Sequence, residues 1–235
     1  MREEQLARAF VEFSDTLVRG YDVIEFLDRL CTRCVEVLEV SAVGALLDDG
    51  AGRLELVAAS TETVRVLETL QVQRRYGPCL DAYRSGERVV VPDLRATGRR
   101  WPAFTSQALS IGVAAVSAFP MRLRQVRVGA LNVFQAAPGQ MSKETLDAGQ
   151  ALADVATIAI LQARAVDDAT RLAGQLTHAL ESRVVIEQAK GVLAERLGVA
   201  PDEAFRRLRR YGRLNGLALT ELAGQVVAGT LTLDL

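Results

Sequence analysis

The stretch AAVSAFPMRLRQVRVGALNVFQ, from Ala114 to Gln135, decides the fold of the larger part of this chain. Its two halves, Ala114–Leu123 and Val126–Gln135, are apolar runs separated only by Arg124-Gln125. Two such runs joined by so short a turn read as neighbouring antiparallel strands. Working outward, Ala137-Pro138-Gly139 ends the sheet on the C-terminal side. On the N-terminal side lie Trp101 and Phe104 in an irregular stretch, then a strand at Arg88–Val91, then a short helix near Cys79–Arg84. Gly77-Pro78 is a break, preceded by a helix over about Thr63–Gln73. Earlier still, Ala42–Leu47 and Leu54–Ala58 read as strands around the turn Asp48-Asp49-Gly50-Ala51-Gly52.

Two helices open the chain. Leu6, Phe10, Phe13 and Leu17 follow helical spacing until Gly20, and Asp22 caps a second helix with Glu25 at the capping-box position. Its expected buried stripe is Ile24, Leu27, Cys31, Cys34 and Leu38. Strands joined by short turns, with helices between and around them, place this part in the α+β class.

Beyond the sheet, Ser142 and Glu144 start a helix with no proline before Pro201. Leu152, Ala159, Val166, Ala173 and Leu180 recur every seven residues, and Ala156, Ala163, Thr170, Thr177 and Val184 fill the interleaved series. That alternation is the period of a left-handed coiled coil. The stripe predicts either pairing with a second copy or packing back on its own domain. A solitary helix of this length would leave an apolar stripe wet, which favours pairing into a homodimer. Gly198 ends the helix. Pro201 starts the next one with Asp202 and Glu203 behind it, and that helix runs to about Tyr211, with Asn215-Gly216 as a turn. Thr220 is the expected cap of a last helix ending before Gly229. The expected domains are therefore a sensor-type sheet domain at 1–161, a coiled-coil linker at 162–176 and a three-helix bundle at 177–235.

Composition narrows the function. A net charge of −1 over 235 residues leaves any polyanion site to a local patch. The charged start, Met1-Arg2-Glu3-Glu4, is unlike a signal peptide, and no stretch nears the roughly 20 apolar residues of a membrane span. Three cysteines without a secretion signal fit free thiols in the cytoplasm. Catalytic constellations are lacking. The single histidine, His178, has no ligand or acid at useful spacing and reads as packing or surface. Cys31 and Cys34 form a Cys-x-x-Cys on an apolar stripe with no second pair, so they read as small buried hydrophobes, not a zinc site. Cys79, at a helix start, is the one thiol whose place admits a redox role, because the dipole there lowers a thiol pKa. No phosphate loop or nucleophilic triad is visible. A non-enzymatic protein is expected.

The tail carries the clearest chemistry. Arg206, Arg209, Arg210 and Arg213 share one helical face, with Phe205, Leu208 and Gly212 expected opposite. Arg183 and Lys190, seven apart, share another face, while Ile186, Ala189 and Leu193 point to the bundle. From Glu181 to Arg213 there are eight cations against five acids. Phe205 and Tyr211 are the only aromatics there, so recognition would use Arg and Lys contacts rather than base-stacking platforms.

The run from Ala179 to Leu193, ALESRVVIEQAKGVL, with Glu203-Ala204-Phe205, Leu208-Arg209 and Leu219-Thr220-Glu221-Leu222-Ala223, closely resembles the ANTAR family over about 177–231. The resemblance implies a three-helix RNA-binding domain, in dimers, that holds hairpin loops of leader transcripts and prevents transcription termination. Arg183, Ala189, Lys190, Gly191 and Arg209 match its shared positions; where relatives often carry Asn and Arg, this chain has Gly216 and Ala218. The full set expected at the RNA is Arg183, Lys190, Gly191, Arg206, Arg209, Arg210 and Arg213. The preceding part resembles GAF domains at Gly77-Pro78-Cys79, Arg84-Ser85-Gly86, Val91-Pro92-Asp93-Leu94, Trp101-Pro102-Ala103-Phe104 and Gly129–Phe134. That resemblance implies a signal-sensing fold, with the small-molecule ligand left unnamed. Tyr83, Asp93, Trp101 and Phe104 are the expected lining of a sensor pocket, with core packing the alternative for Trp101 and Phe104. A DNA-binding regulator and a protein-interaction module with a helical tail stay open as other readings.

Overall fold

The computed structural model describes residues 4, 7–9, 11–13, 22–97 and 99–231, and at 175–179 the helical backbone only. Leu6, Phe10, Leu17 and Gly20 and the side chains of Thr177 and His178 therefore lie outside the described residues. Two compact units result, 1–165 and 166–235.

The first unit is built on a five-stranded antiparallel sheet of order β2-β1-β5-β4-β3, with β1 at Ala42–Asp48, β2 at Leu54–Ala59, β3 at Val89–Val91, β4 at Ala115–Leu123 and β5 at Val126–Gln135. The hairpin expected from Ala114–Gln135 is β4–β5, pairing Ala115 with Gln135 and Leu123 with Val126. Arg124 takes the positive φ (54°) that its tight turn demands. Pro120, inside β4, forms no ladder bond through its nitrogen. It is tolerated because β3 covers β4 only from Val116 to Ala118.

Helices cover both faces of this sheet, which is why its central strands are apolar almost without alternation. On one face Val43, Ala45, Phe119, Met121, Leu131 and Val133 meet helix α1 (Val23–Leu38) and Leu152, Ala156, Ala159 and Ile160 of the long helix. On the other, Ala42, Val116, Ala118 and Phe134 meet α2 (Glu62–Arg74) and α4 (Pro102–Ser110), while Leu46 and Ala130 meet Cys79 and Leu80 of α3 (Pro78–Ser85). Asp22 caps α1 as expected, its carboxylate accepting from Ile24 and Glu25 amides at 2.8 and 3.0 Å. Phe13 packs edge-on to Phe26. Two expectations are corrected. Ile24 is exposed, because the buried stripe runs one step over through Phe26, Leu30 and Val37. The stretch around Trp101 is not irregular: a 3-10 turn at Leu94–Thr97 precedes α4, started by Pro102.

Helix α5 runs from Lys143 to Leu197, with the Ser142 hydroxyl accepting from the Thr145 amide at its start. The second unit comprises the end of α5, α6 (Pro201–Asn215) and α7 (Leu219–Val227). Ala189, Leu193, Ala204, Leu208, Leu222, Ala223 and Val226 form its core. Gly198 and Gly216 take positive φ (both 64°), which only glycine adopts without cost, and so end α5 and α6. Gly216 is thus required by the turn, and Ala218, not Thr220, occupies the cap of α7. No helix among the described residues is long and apolar enough to cross a membrane.

Candidate functional site

The basic face of α6 forms because its apolar residues recur on the opposite side. Ala204, Leu208 and Gly212 are buried, and a Cβ at Gly212 would come within 3.2 Å of the Leu217 carbonyl. Facing away, Arg206, Arg209, Arg210 and Arg213 line one shallow groove of about 400 Å³ together with Leu214. Phe205 departs from expectation. It is half-buried outside the core, and the Arg209 guanidinium lies 5.7 Å from its ring centre. That contact holds the Arg209 guanidinium without neutralising its charge.

Electrostatics divides these arginines. The Glu203 carboxylate accepts from Arg206 Nε and Arg207 Nε, each at 3.0 Å. Those bonds, Arg207's first, hold Glu203 below the usual carboxylate range. Among the described ion pairs Arg209, Arg210 and Arg213 have no carboxylate. On α5, Lys190 is only 22% exposed and its Nζ lies 2.7 Å from Glu187. Gly191 is exposed, with nothing within 4 Å of where a Cβ would stand. Arg183 sits apart, lining a second groove of about 460 Å³ with Leu180, Val184, Glu187 and Gln188.

The four residues expected to line a sensor pocket do separate jobs. Trp101 and Phe104 are core, packed edge to face at 6.4 Å between centres. Asp93 is tied to Arg95, whose guanidinium and backbone amide both bond its carboxylate at 2.9 Å. Tyr83 lines a cavity of about 480 Å³ shared with Arg53, Leu54, Arg75, Leu80 and Arg84.

A buried polar cluster escaped the sequence reading. Glu68 of α2 is wholly buried, and its carboxylate accepts from Asn132 Nδ2 of β5 at 2.6 Å and from Gln71 Nε2 at 2.7 Å. Gln71 in turn accepts from the Cys79 amide at 3.1 Å. Gly44, paired across the sheet with Asn132, provides the room, since a Cβ there would lie 2.5 Å from the Glu68 carboxylate. Burial with no cation nearby pushes Glu68 up to about 8, the two amide bonds only partly opposing it. The sequence signal was weak, because a lone Glu in a helix reads as a solvated face. The Cys79 expectation also reverses. The thiol does sit at the start of α3, but it is fully buried and faces Glu68, and both push its pKa up. Burial raises Cys31 and Cys34 likewise. Among the described residues no three potential ligands gather to hold a metal.

Comparison with known proteins also finds two domains in the chain. The GAF domain family model matches residues 21–161, and the ANTAR domain model matches 174–227. Among solved structures the first unit is similar to the GAF domain of a phosphoenolpyruvate-protein phosphotransferase from Acinetobacter, with 16% identity, a TM-score of 0.55 and coverage of 71% of this chain and 96% of that one. The GAF domain of the Coxiella burnetii phosphoenolpyruvate-protein phosphotransferase gives 16% identity, a TM-score of 0.55 and coverage of 70% and 98%. Free methionine-R-sulfoxide reductase from Neisseria meningitidis gives 17%, 0.53, and 70% and 91%. At such identities these likenesses concern the fold. No curated protein sequence matches the chain.

Proposed function

We propose, for a chain that belongs to the GAF domain family and carries an ANTAR domain behind it, a signal-responsive regulator of transcription antitermination that binds hairpin loops of leader RNA. The observation that carries this reading is the α6 groove, where Arg209, Arg210 and Arg213 stand together without a carboxylate partner among the described ion pairs. Guanidinium groups so placed suit phosphate oxygens. With Lys190 and Arg183 on α5 they supply the cations that an RNA loop held by shape and backbone requires. Two copies joined through the exposed part of α5 would present two such faces, one to each loop of a paired target. A signal reaching the GAF domain would act by changing how those copies pair. The protein is read as a non-enzymatic regulator, and three buried thiols whose pKa values are raised support that reading.

Binding to a two-hairpin leader RNA tests the proposal. Lys190→Ala with Arg209→Ala should weaken binding, and each lost phosphate contact should flatten the slope of log affinity against log salt by about 0.7. Unchanged affinity and slope would place the RNA elsewhere, and preference for duplex DNA would reassign the tail.

A further inference from the structure

We propose that the cavity between the β1–β2 turn and helices α2 and α3 is the sensor's ligand site, and that it takes a small phosphorylated organic molecule. The assignment rests on the reading of residues 21–161 as a sensory domain; the chemistry comes from the cavity itself. Its volume of about 480 Å³ falls within the usual size of small-molecule sites. Its lining has two characters. Leu54 and Leu80 are buried and Val72 and Tyr83 half-buried, giving an apolar surface with one aromatic ring. Arg53, Arg75 and Arg84 stand exposed around it.

The charges there are unevenly met. Arg53 is paired with Asp49 at 2.9 Å. Arg75 and Arg84 have no carboxylate among the described ion pairs; instead the Arg84 guanidinium donates to the Arg75 carbonyl at 3.1 Å. Arg127 of β5 is held close by in the same way, donating to the Arg84 carbonyl. Backbone carbonyls satisfy donors but leave the positive charge in place, so Arg84 and Arg127 keep theirs for an anion. The acids at the cavity are Glu55, part of the lining, Asp49, already engaged by Arg53, and Asp48; burial first, then the hydrogen bond to Asp48, raises the Tyr83 hydroxyl's pKa.

A phosphate monoester meets both requirements. Its oxygens and double charge match two guanidinium groups, and its organic body covers Leu54, Leu80 and Tyr83, which an inorganic ion would leave wet. Arg75, the C-cap of α2, is fixed in the left-handed region at φ 55°, so the backbone carrying one of these groups is set before the ligand binds.

Titration of the full chain with phenyl phosphate at low salt, followed by calorimetry and thermal shift, tests this. Phenyl phosphate should bind saturably and at least about tenfold more tightly than inorganic phosphate or benzoate. Arg75→Asn with Arg84→Gln should weaken it by about tenfold or more, Asn being chosen because it tolerates left-handed backbone. Both positions are exposed, and an unchanged urea midpoint will show that the fold survives. Equal binding of phenyl phosphate by the double variant, or absence of saturable binding, overturns the site. Equal binding of benzoate overturns the phosphate, and equal binding of inorganic phosphate overturns the organic body. The Lys190→Ala/Arg209→Ala protein should bind phenyl phosphate normally, so loss of RNA affinity there and failure of ligand binding here are separate results.

Discussion

The two halves of α5 share one heptad pattern and have opposite surroundings. From Leu152 to Ile160 the stripe is buried against the sheet, with Leu152, Ala156 and Ala159 all at 0% exposure. From Val166 onward the same register meets solvent, with Val166 at 57%, Leu180 at 65% and Val184 at 57%. Periodicity reports that a helix has an apolar side; it does not report what covers it. The first half packs back on the domain, and the second leaves the continuation of the stripe exposed along the same helix. The largest expected effect follows from the first half. Leu152→Ala leaves a cavity beneath the sheet and should cost about 2–5 kcal/mol of stability. Urea unfolding will measure it, and a cost below about 1 kcal/mol would mean that this half is not core.

That contrast also shows what was legible in the residues. The β4–β5 hairpin was readable because Ala114–Leu123 and Val126–Gln135 are long and interrupted only by Arg124-Gln125. The α6 basic face was readable because Arg206, Arg209, Arg210 and Arg213 repeat at helical spacing. Helix α4 was not, since Pro102–Ser110 is short and its two buried residues, Phe104 and Ala108, make too brief a stripe to separate helix from loop. Trp101 and Phe104 stood open between pocket and core for a related reason. They are the kind of residue that lines pockets and fills cores alike, and only the third dimension tells them apart. Glu68 and Asn132, 64 residues apart, could be joined only by the register that sets Gly44 opposite Asn132.

Glu68 sharpens the comparison from the other face of the sheet, where burial is paid for by a proton. Its folded pKa of about 8 stands above the ordinary carboxylate value of 4.5, so between these the native state holds a proton that the unfolded chain has released. The contribution to stability is therefore full below pH 4.5 and is lost as pH rises towards about 8. Glu68→Gln should abolish that slope and leave the variant the more stable protein at pH 9. Turning over the Asn132 side-chain amide, whose Oδ1 has no partner among the described residues, would present that oxygen to the new amide nitrogen. Unfolding free energies from pH 5 to pH 9 check this. Parallel curves for the two proteins would show that Glu68 is ionised throughout.

The smallest effect on the fold belongs to the exposed half of α5. Leu180→Ser and Val184→Ser remove apolar groups that already face water, so each should change unfolding free energy by no more than about 0.5 kcal/mol. A stripe of Val166, Leu180 and Val184 is nevertheless costly to leave wet, and in the proposed dimer it is what the second copy covers. The same double substitution should therefore lower dimer affinity measured by sedimentation, and with it the affinity for a two-hairpin RNA, while binding to a single hairpin persists. An unchanged sedimentation profile would break the comparison at its second term. The exposed half would then need another occupant, and two-loop recognition would have to arise without pairing through this stripe.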